Sequence, residues 1–349
     1  MNSTEFGKTS KGEKATLYTF TNKNQMEMSV SDYGATLVNV LVPDKNGDLC
    51  DVVLGYDSVQ GYEASEGTFF GATVGRSANR IGKATFTLRG TVYQLEKNDH
   101  HNNLHSGTDF YSKRMWKVEK LEEDRITFYL WSPNGDQGYP GEVGISVTYT
   151  LTEDNGIRIE YEAIPKEDTL LNLTNHSYFN LDGHASGTVL DHLVWMDAES
   201  YTRADEESIP TGEIVNVKGT PMDFTIKKAI GREIEEEYEA LNFGHGYDHN
   251  WVLSTYGNYK KVAELSSDVS KITMEVSTDL PGVQMYTGNF IKDVLGKGGI
   301  IYQKHQGVCF ETQFFPDAIH KEQFITPITL GGERYYTRTE YQFKIEPNK

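Results

Sequence analysis

Two stretches of this chain hold residues able to exchange protons with a bound molecule. The first is Thr174-Asn175-His176-Ser177-Tyr178-Phe179-Asn180-Leu181, in which a preceding apolar run, Leu170-Leu171-Asn172-Leu173, reads as a strand delivering one histidine among small polar groups. The second is Gly307-Val308-Cys309-Phe310-Glu311-Thr312-Gln313-Phe314-Phe315-Pro316-Asp317-Ala318, where Glu311 is the lone carboxylate in a strand of aromatic and apolar residues. Burying such a group unpaired is costly, so it needs a partner or a task. A carboxylate and an imidazole on two strands of one sheet make a general base and a general acid.

Four further polar groups stand in apolar or glycine-rich settings: Asn79-Arg80, His105, Asp248 and Gln284. Each has a structural reading beside the functional one. A strand Glu or His is commonly a core group satisfied by backbone or Arg, and Asn79-Arg80 would serve as a buried partner for Glu311. The stretch Asn98 to Gly107 contains His100, His101 and His105. It reads as a solvated loop, as a substrate-facing loop, or as a metal site, although zinc spacings fixed by a turn or helix with distant ligands are not evident.

Strands must position these groups. Leu37 to Val42 and Cys50 to Leu54 flank the turn Asp44-Lys45-Asn46-Gly47-Asp48 and form a hairpin. Ala84, Phe86 and Leu88 alternate with Thr85 and Thr87. Met115 to Leu121 and Arg125 to Trp131 form a strand pair. Ile145, Val147, Tyr149 and Leu151 alternate with polar residues, turn at Asp154-Asn155-Gly156, and return through Ile157, Ile159 and Tyr161. Gly183 to Asp223 reads as loop-rich, and Ile226 to Leu241 as helical. Ile272 to Thr278 and Val283 to Thr287 read as a strand pair around Asp279-Leu280-Pro281-Gly282. Tyr341, Phe343 and Ile345 close the chain.

No repeat or linker divides the sequence, so residues 1–349 are expected to form one domain. The strands exclude Rossmann and TIM architectures, in which helices alternate with strands. The expected class is all-β, antiparallel, with few short helices.

Composition narrows the partners. With 51 acidic and 33 basic residues the formal charge is -18, which repels nucleic acid and anionic membrane surfaces. Cys50 and Cys309 lie far apart in strand-like runs and form neither a disulfide framework nor a zinc pattern. No signal-peptide order and no apolar window of the ~18 residues a span requires is found. A cytoplasmic protein, monomer or weak homodimer, without metal or cofactor, is expected. Asn172-Leu173-Thr174 and Asn175-His176-Ser177 match the glycosylation pattern but fall where a strand should be buried, as chance matches do.

The chain resembles the aldose 1-epimerase (galactose mutarotase) family. The resemblance is carried by Gly75-Arg76-Ser77-Ala78-Asn79-Arg80-Ile81, Asn103-Leu104-His105-Ser106-Gly107 and the Thr174 to Leu181 motif. It continues in Gly246-Tyr247-Asp248-His249-Asn250, in Pro281-Gly282-Val283-Gln284-Met285-Tyr286-Thr287-Gly288-Asn289 and in Phe310-Glu311-Thr312-Gln313. The motifs follow the family's order. The resemblance implies a large antiparallel β-sandwich, or supersandwich, with an open cleft for a free aldose. It implies Glu311 as general base, His176 as general acid, and His105 as a second histidine near the ring oxygen. Asn79, Arg80, Asp248 and Gln284 would contact sugar hydroxyls, with Tyr178 a further contact or a core ring. Ser106 departs from the pattern, where a second glycine is expected.

Anomer exchange needs one base at O1 and one acid at O5. Reference pKa values of about 4.3 for Glu and 6.5 for His leave a window for carboxylate and imidazolium together. Asp248 would widen it by favouring imidazolium, and Arg80 would keep Glu311 ionised. Tyr178 or Tyr247 would cover a sugar face. Rival readings are a glycosidase using Glu311 with Asp248, a hexose-6-phosphate 1-epimerase drawing on Arg76 and Arg80, and a non-catalytic carbohydrate-binding β-sandwich.

Overall fold

Alternation between residues 117 and 165 produces four consecutive antiparallel strands. In the computed structural model, which describes residues 1–345, these are Lys117–Leu121, Arg125–Ser132, Val143–Leu151 and Gly156–Pro165. The last residues of the expected 1–349 domain lie outside the described ones. Ile145, Val147 and Tyr149 pair with Ala163, Tyr161 and Ile159, all buried, while Ser146 and Thr148 face Glu162 and Glu160 on the other side. One face is core and one is wet, as period-two patterning dictates.

The ladder continues through Tyr335–Ile345, Ile272–Thr278, Lys260–Ser266, Leu193–Met196 and Lys228–Ala229 into a nine-stranded antiparallel sheet. A six-stranded sheet runs in the order Tyr178–Phe179, Val308–Gln313, Gly282–Tyr286, Asp248–Val252, Ser200–Ala204, Pro210–Asn216. Val308, Phe310, Val283, Met285 and Trp251 of the six-stranded sheet share one buried core with Val147, Ile159, Met274, Val276 and Tyr341 of the nine-stranded sheet. Each such side chain contributes about 1.5–3 kcal/mol by leaving water. The Tyr341 hydroxyl donates to the Phe310 carbonyl at 2.8 Å, and the Phe179 and Tyr341 rings lie 4.8 Å apart. The architecture is the expected large β-sandwich. Among the described residues the two α-helices, Val59–Ala64 and Glu239–Gly244, have six residues each. A five-stranded meander, Asn2–Lys8 to Leu49–Asp51, precedes the sandwich strands and includes the Asp44 hairpin.

Four local expectations are corrected. Only Glu239–Gly244 of the expected 226–241 helix region is α-helical; Lys228–Ala229 instead pairs with Leu193 and Val194 at the sheet edge, and Ile230 and Ile234 are core. Ile272–Thr278 and Gly282–Tyr286 do not pair with each other. The first belongs to the nine-stranded sheet and the second to the six-stranded one, so Asp279-Leu280-Pro281 is a crossover between layers. The segment 183–223 carries three strands. The run before His176 is no continuous strand: Thr169–Leu170 and Thr174–Asn175 join separate two-stranded ladders, and between them Asn172 bridges to Ser77 and its side chain accepts from the Phe314 N–H.

Candidate active site

The Val308–Gln313 strand is buried along its whole length. Val308 and Phe310 enter the sandwich core, so Cys309, Glu311 and Gln313 point from the opposite face. Register then sets a row of polar groups across neighbouring strands. Asn250 lies opposite Gln284, and Gln284 opposite Glu311; one pleat along, Asp248 lies opposite Tyr286 and Tyr286 opposite Cys309. Tyr178 pairs with Cys309, which brings His176, two residues earlier, above the same face.

His176 sits at a bend pinned at both ends of its peptide. Its N–H donates to the Ala72 carbonyl and its carbonyl accepts from Gly71 N–H, each at 3.0 Å. Gly71 is at φ +65, and a Cβ there would lie 1.9 Å from the Leu37 carbonyl oxygen. No side chain fits where the chain must pass beneath the histidine.

Seven of the eight residues singled out from the sequence, Asn79, Arg80, His105, His176, Tyr178, Asp248 and Glu311, line one open cleft of about 550 Å³. Gln284 does not line it. Its amide donates to Asp248 Oδ1 at 2.7 Å and accepts from Gln313 at 3.2 Å, and Gln313 accepts from the Asn79 amide at 3.3 Å. Gln284 thus orients Asp248 from behind. Tyr178 is a buried ring stacked 5.1 Å from His176. Tyr247 is core, with its hydroxyl on the Pro221 carbonyl, and covers no sugar face. His100 and His101 are exposed, leaving His105 as the member of that cluster in the cleft.

His176 Nε2 lies 3.6 Å from Glu311 Oε2, and that oxygen, fully buried, has no hydrogen-bond partner. An orphaned buried carboxyl oxygen carries a penalty of about 1–3 kcal/mol or more. A ligand hydroxyl would relieve it. Burial pushes the Glu311 carboxyl well above the usual range, the charge of Asp248 adds to this, and Arg80 opposes it. Burial pulls His176 down to about 4. Burial thus disfavours both charged forms, the Glu311 carboxylate and the His176 imidazolium. Arg80, whose Nε is bound to Asp99 at 2.7 Å, acts in the expected direction on Glu311 but is outweighed by burial. Asp248 acts on Glu311, and no influence of it on the His176 imidazole is resolved.

His105 has a different role fixed by its backbone. Asn79 N–H donates to His105 Nδ1 at 3.1 Å, so the neutral ring carries its proton on Nε2. Burial, with the charges of His176 and Arg80, holds its pKa well below the ordinary value. Ligand atoms of His105, His176 and Glu311 lie within 4.8 Å of one another, but the cleft-side nitrogen of His105 is a donor and offers a cation no lone pair. Ser106, at φ +70, bridges the loop: its hydroxyl accepts from Ser77 N–H at 2.8 Å and meets the Ser77 carbonyl at 2.9 Å.

Sequence reasoning missed Phe69, Tyr286 and Phe290 on the cleft wall, and Cys309, whose Sγ lies 3.6 Å from His176 Nδ1. Nothing distinguishes these aromatics from core residues in sequence. Cys309 was detectable as the residue two before Glu311, hence on its face.

A β-sandwich holding a paired acid and base over a cleft of Asn, Arg and Asp side chains is a proton-transfer enzyme for a polyhydroxylated ligand. Residues 16–342 match the aldose 1-epimerase family, and the chain belongs to it. Galactose mutarotase of Mus musculus is 40% identical over 324 residues, 92% of either chain. Aldose 1-epimerase of Haemophilus influenzae is 38% identical over 332 residues, 94% of this chain and 95% of that one. The structure of an aldose epimerase homologue from C. elegans superposes with a TM-score of 0.87 at 30% identity, covering 95% of this chain and 99% of that one. Galactose 1-epimerase from Lactobacillus acidophilus gives 0.86 at 27%, covering 99% and 98%. The protein is an isomerase, a mutarotase that interconverts the anomers of an aldose.

Proposed function

We propose that this mutarotase acts on free aldohexoses, galactose and glucose among them, with Glu311 as base and His176 as acid. The observation that carries the assignment is the orphaned Glu311 oxygen 3.6 Å from His176 Nε2 at the cleft wall. When the sugar binds, O1–H donates to Glu311 and O5 accepts from His176, so the arrangement with carboxylate and imidazolium gains charge-assisted hydrogen bonds. Glu311 takes the O1 proton and His176 gives one to O5. The C1–O5 bond breaks, leaving an open-chain aldehyde. Rotation about C1–C2 presents the other carbonyl face; O5 attacks, returns its proton to His176, and O1 regains one from Glu311. Protons and charge balance over the cycle.

His105 offers Nε2–H to the sugar as a fixed donor. Arg80, Asn79 and Asp248 read hydroxyls, with Gln284 holding Asp248. The aromatic Tyr178 supports the imidazole.

The rival readings fare less well on the same geometry. Among the described residues, Arg80 is the cationic side chain of the cleft wall and is already paired with Asp99. Arg76 is buried with its guanidinium on the Pro140 and Gly141 carbonyls, so a phosphate finds little charge. A glycosidase pairing of Glu311 with Asp248 leaves the imidazole without a task. A binding-only sandwich has no use for a paired acid and base.

We take the chain as a single domain acting as a monomer or weak homodimer. No helix among the described residues is long and apolar enough to cross a membrane, and Cys50 and Cys309 are free thiols; with the negative charge, this supports a cytoplasmic enzyme without nucleic-acid or membrane partners. The test is the optical rotation of freshly dissolved α-D-galactose. The protein should accelerate its decay over buffer, and the His176→Ala and Glu311→Gln variants should not. An unaltered rate in either variant would remove that residue from its role.

A further inference from the structure

Phe69 stands where no role has been assigned. Its ring lies nearly parallel to the His176 imidazole, 28° apart with centroids at 5.7 Å, and edge-on to His105 at 4.8 Å and to Phe110 at 4.9 Å. Tyr178 stacks on His176 as well, at 5.1 Å and 26°. Two aromatic rings thus lie nearly parallel to the imidazole, both lining the cleft. Phe69 adopts φ +53, a left-handed conformation that an aromatic residue rarely takes. The strained backbone marks a side chain held to a particular place.

Phe69 also lies between two spaces. With Gly67 it lines both the catalytic cleft and a narrow adjoining space bounded by Tyr62, Ser65, Phe70, Phe110 and Ser112. A smaller side chain at this position would widen the way between them and bring water closer to the imidazole.

We propose that Phe69 is a positioning residue for proton transfer: nearly parallel to His176 and edge-on to His105, it limits the water that reaches the acid and fixes the plane in which Nε2 meets the sugar. The proposal rests on His176 being the acid. A dry imidazolium is a stronger acid, which suits the weakly basic ring oxygen it must protonate. The other groups facing His176 are Glu311 and Cys309 from the Val308–Gln313 strand, Tyr286 from the adjacent strand, Tyr178, and His105 from its loop. None of them lines both the cleft and the adjoining space.

The test compares Phe69→Ala, Phe69→Leu and Phe69→Tyr by mutarotation of galactose across pH, with His176→Ala alongside and thermal melts to establish folding. Admitting water relieves the burial that depresses His176, so the acid limb of kcat/KM should move up by about one pH unit in Phe69→Ala. There kcat should fall about tenfold while KM stays within about threefold. Phe69→Tyr, which keeps the ring, should hold the wild-type limb. Should Phe69→Ala not fold, Phe69→Leu carries the same comparison. A limb and kcat unchanged in a folded Phe69→Ala or Phe69→Leu variant, with only the melting temperature lowered, would overturn the proposal. An active His176→Ala would instead overturn the assignment of the acid on which it rests.

Discussion

The backbone N–H of Asn79 donates to His105 Nδ1 at 3.1 Å, and this single bond decides what His105 can do. The ring cannot take a second proton on Nδ1 without losing it, and the charges of His176 and Arg80 make that still harder. On the proposed mechanism the two neighbouring histidines divide the work, one as a fixed donor and one as the proton carrier.

We expect His105→Ala to lower kcat about a hundredfold by removing a donor aimed at the sugar, the scale seen for single preorganised donors. The acid limb of the pH profile should stay where it is in the wild type, because His105 does not titrate in the cycle. A limb displaced by a full unit would show that His105 shares the proton.

Glu311→Gln and His176→Ala should each lower kcat by about 10²–10⁴-fold, the usual contribution of a positioned acid or base. Galactose binding, measured by calorimetry, should persist in Glu311→Gln. Because the two act as a unit, the double variant should be little slower than either single one. Additive losses would mean that they work independently.

The protonation order has its own check. His176, depressed to about 4 by burial, should be neutral by NMR in the free enzyme at pH 6, with the shared proton on Glu311. As pH falls through about 4, His176 gains a proton while Glu311 keeps its own, no base remains, and activity is lost. As pH rises through the raised Glu311 value, the pair loses its only proton, and no acid remains. An imidazole resonance titrating near the reference value of about 6.5 would refute this order.

Arg80→Lys keeps the charge but not the planar fork that meets Asp99. The expected result is a KM for galactose raised about tenfold, one lost charge-assisted hydrogen bond, with kcat within about threefold. A fall in kcat at constant KM would move Arg80 from binding into the chemistry.

Ser106 offers a stability test away from the reaction. Ser106→Ala leaves the Ser77 N–H without its partner and keeps the left-handed backbone, and should cost about 1–3 kcal/mol in denaturant unfolding. Ser106→Gly loses the same hydrogen bond but relieves the backbone, so it should cost less. An alanine variant more stable than the glycine one would contradict the bridging role of the hydroxyl.

Much of the site was legible because its chemistry clashes with its surroundings. A lone carboxylate in an aromatic strand and a histidine among small polar residues stand out from their neighbours, even though each has a structural reading, and the two side chains lie 3.6 Å apart at one cleft. What failed was connectivity. Pro281-Gly282 signals a turn, but turn chemistry is the same whether a chain folds back in one sheet or crosses to another; only the core contacts of Leu280, Val283 and Met285 decide it. Ile226 to Leu241 has apolar spacing that suits a helix, yet Lys228–Ala229 is drawn into the sheet edge and Ile230 and Ile234 into the core, so tertiary contacts override local preference. Protonation was unreadable because it depends on burial, which no spacing reveals. Phe69 was unreadable for the same reason: beside Phe70 it is merely another aromatic until its two cavities exist.

The Val308–Gln313 strand serves two masters through alternate residues, and this constrains how the protein can change over time. Deleting or inserting one residue there would exchange Glu311 for Phe310 or Thr312 and, in the same step, push a carboxylate into the sandwich interior. Loss of catalysis and loss of folding are thus coupled to one error. Lineages that tune this enzyme toward other sugars are left with substitution as the workable route along this strand, and the loops around the cleft as the place where length can vary.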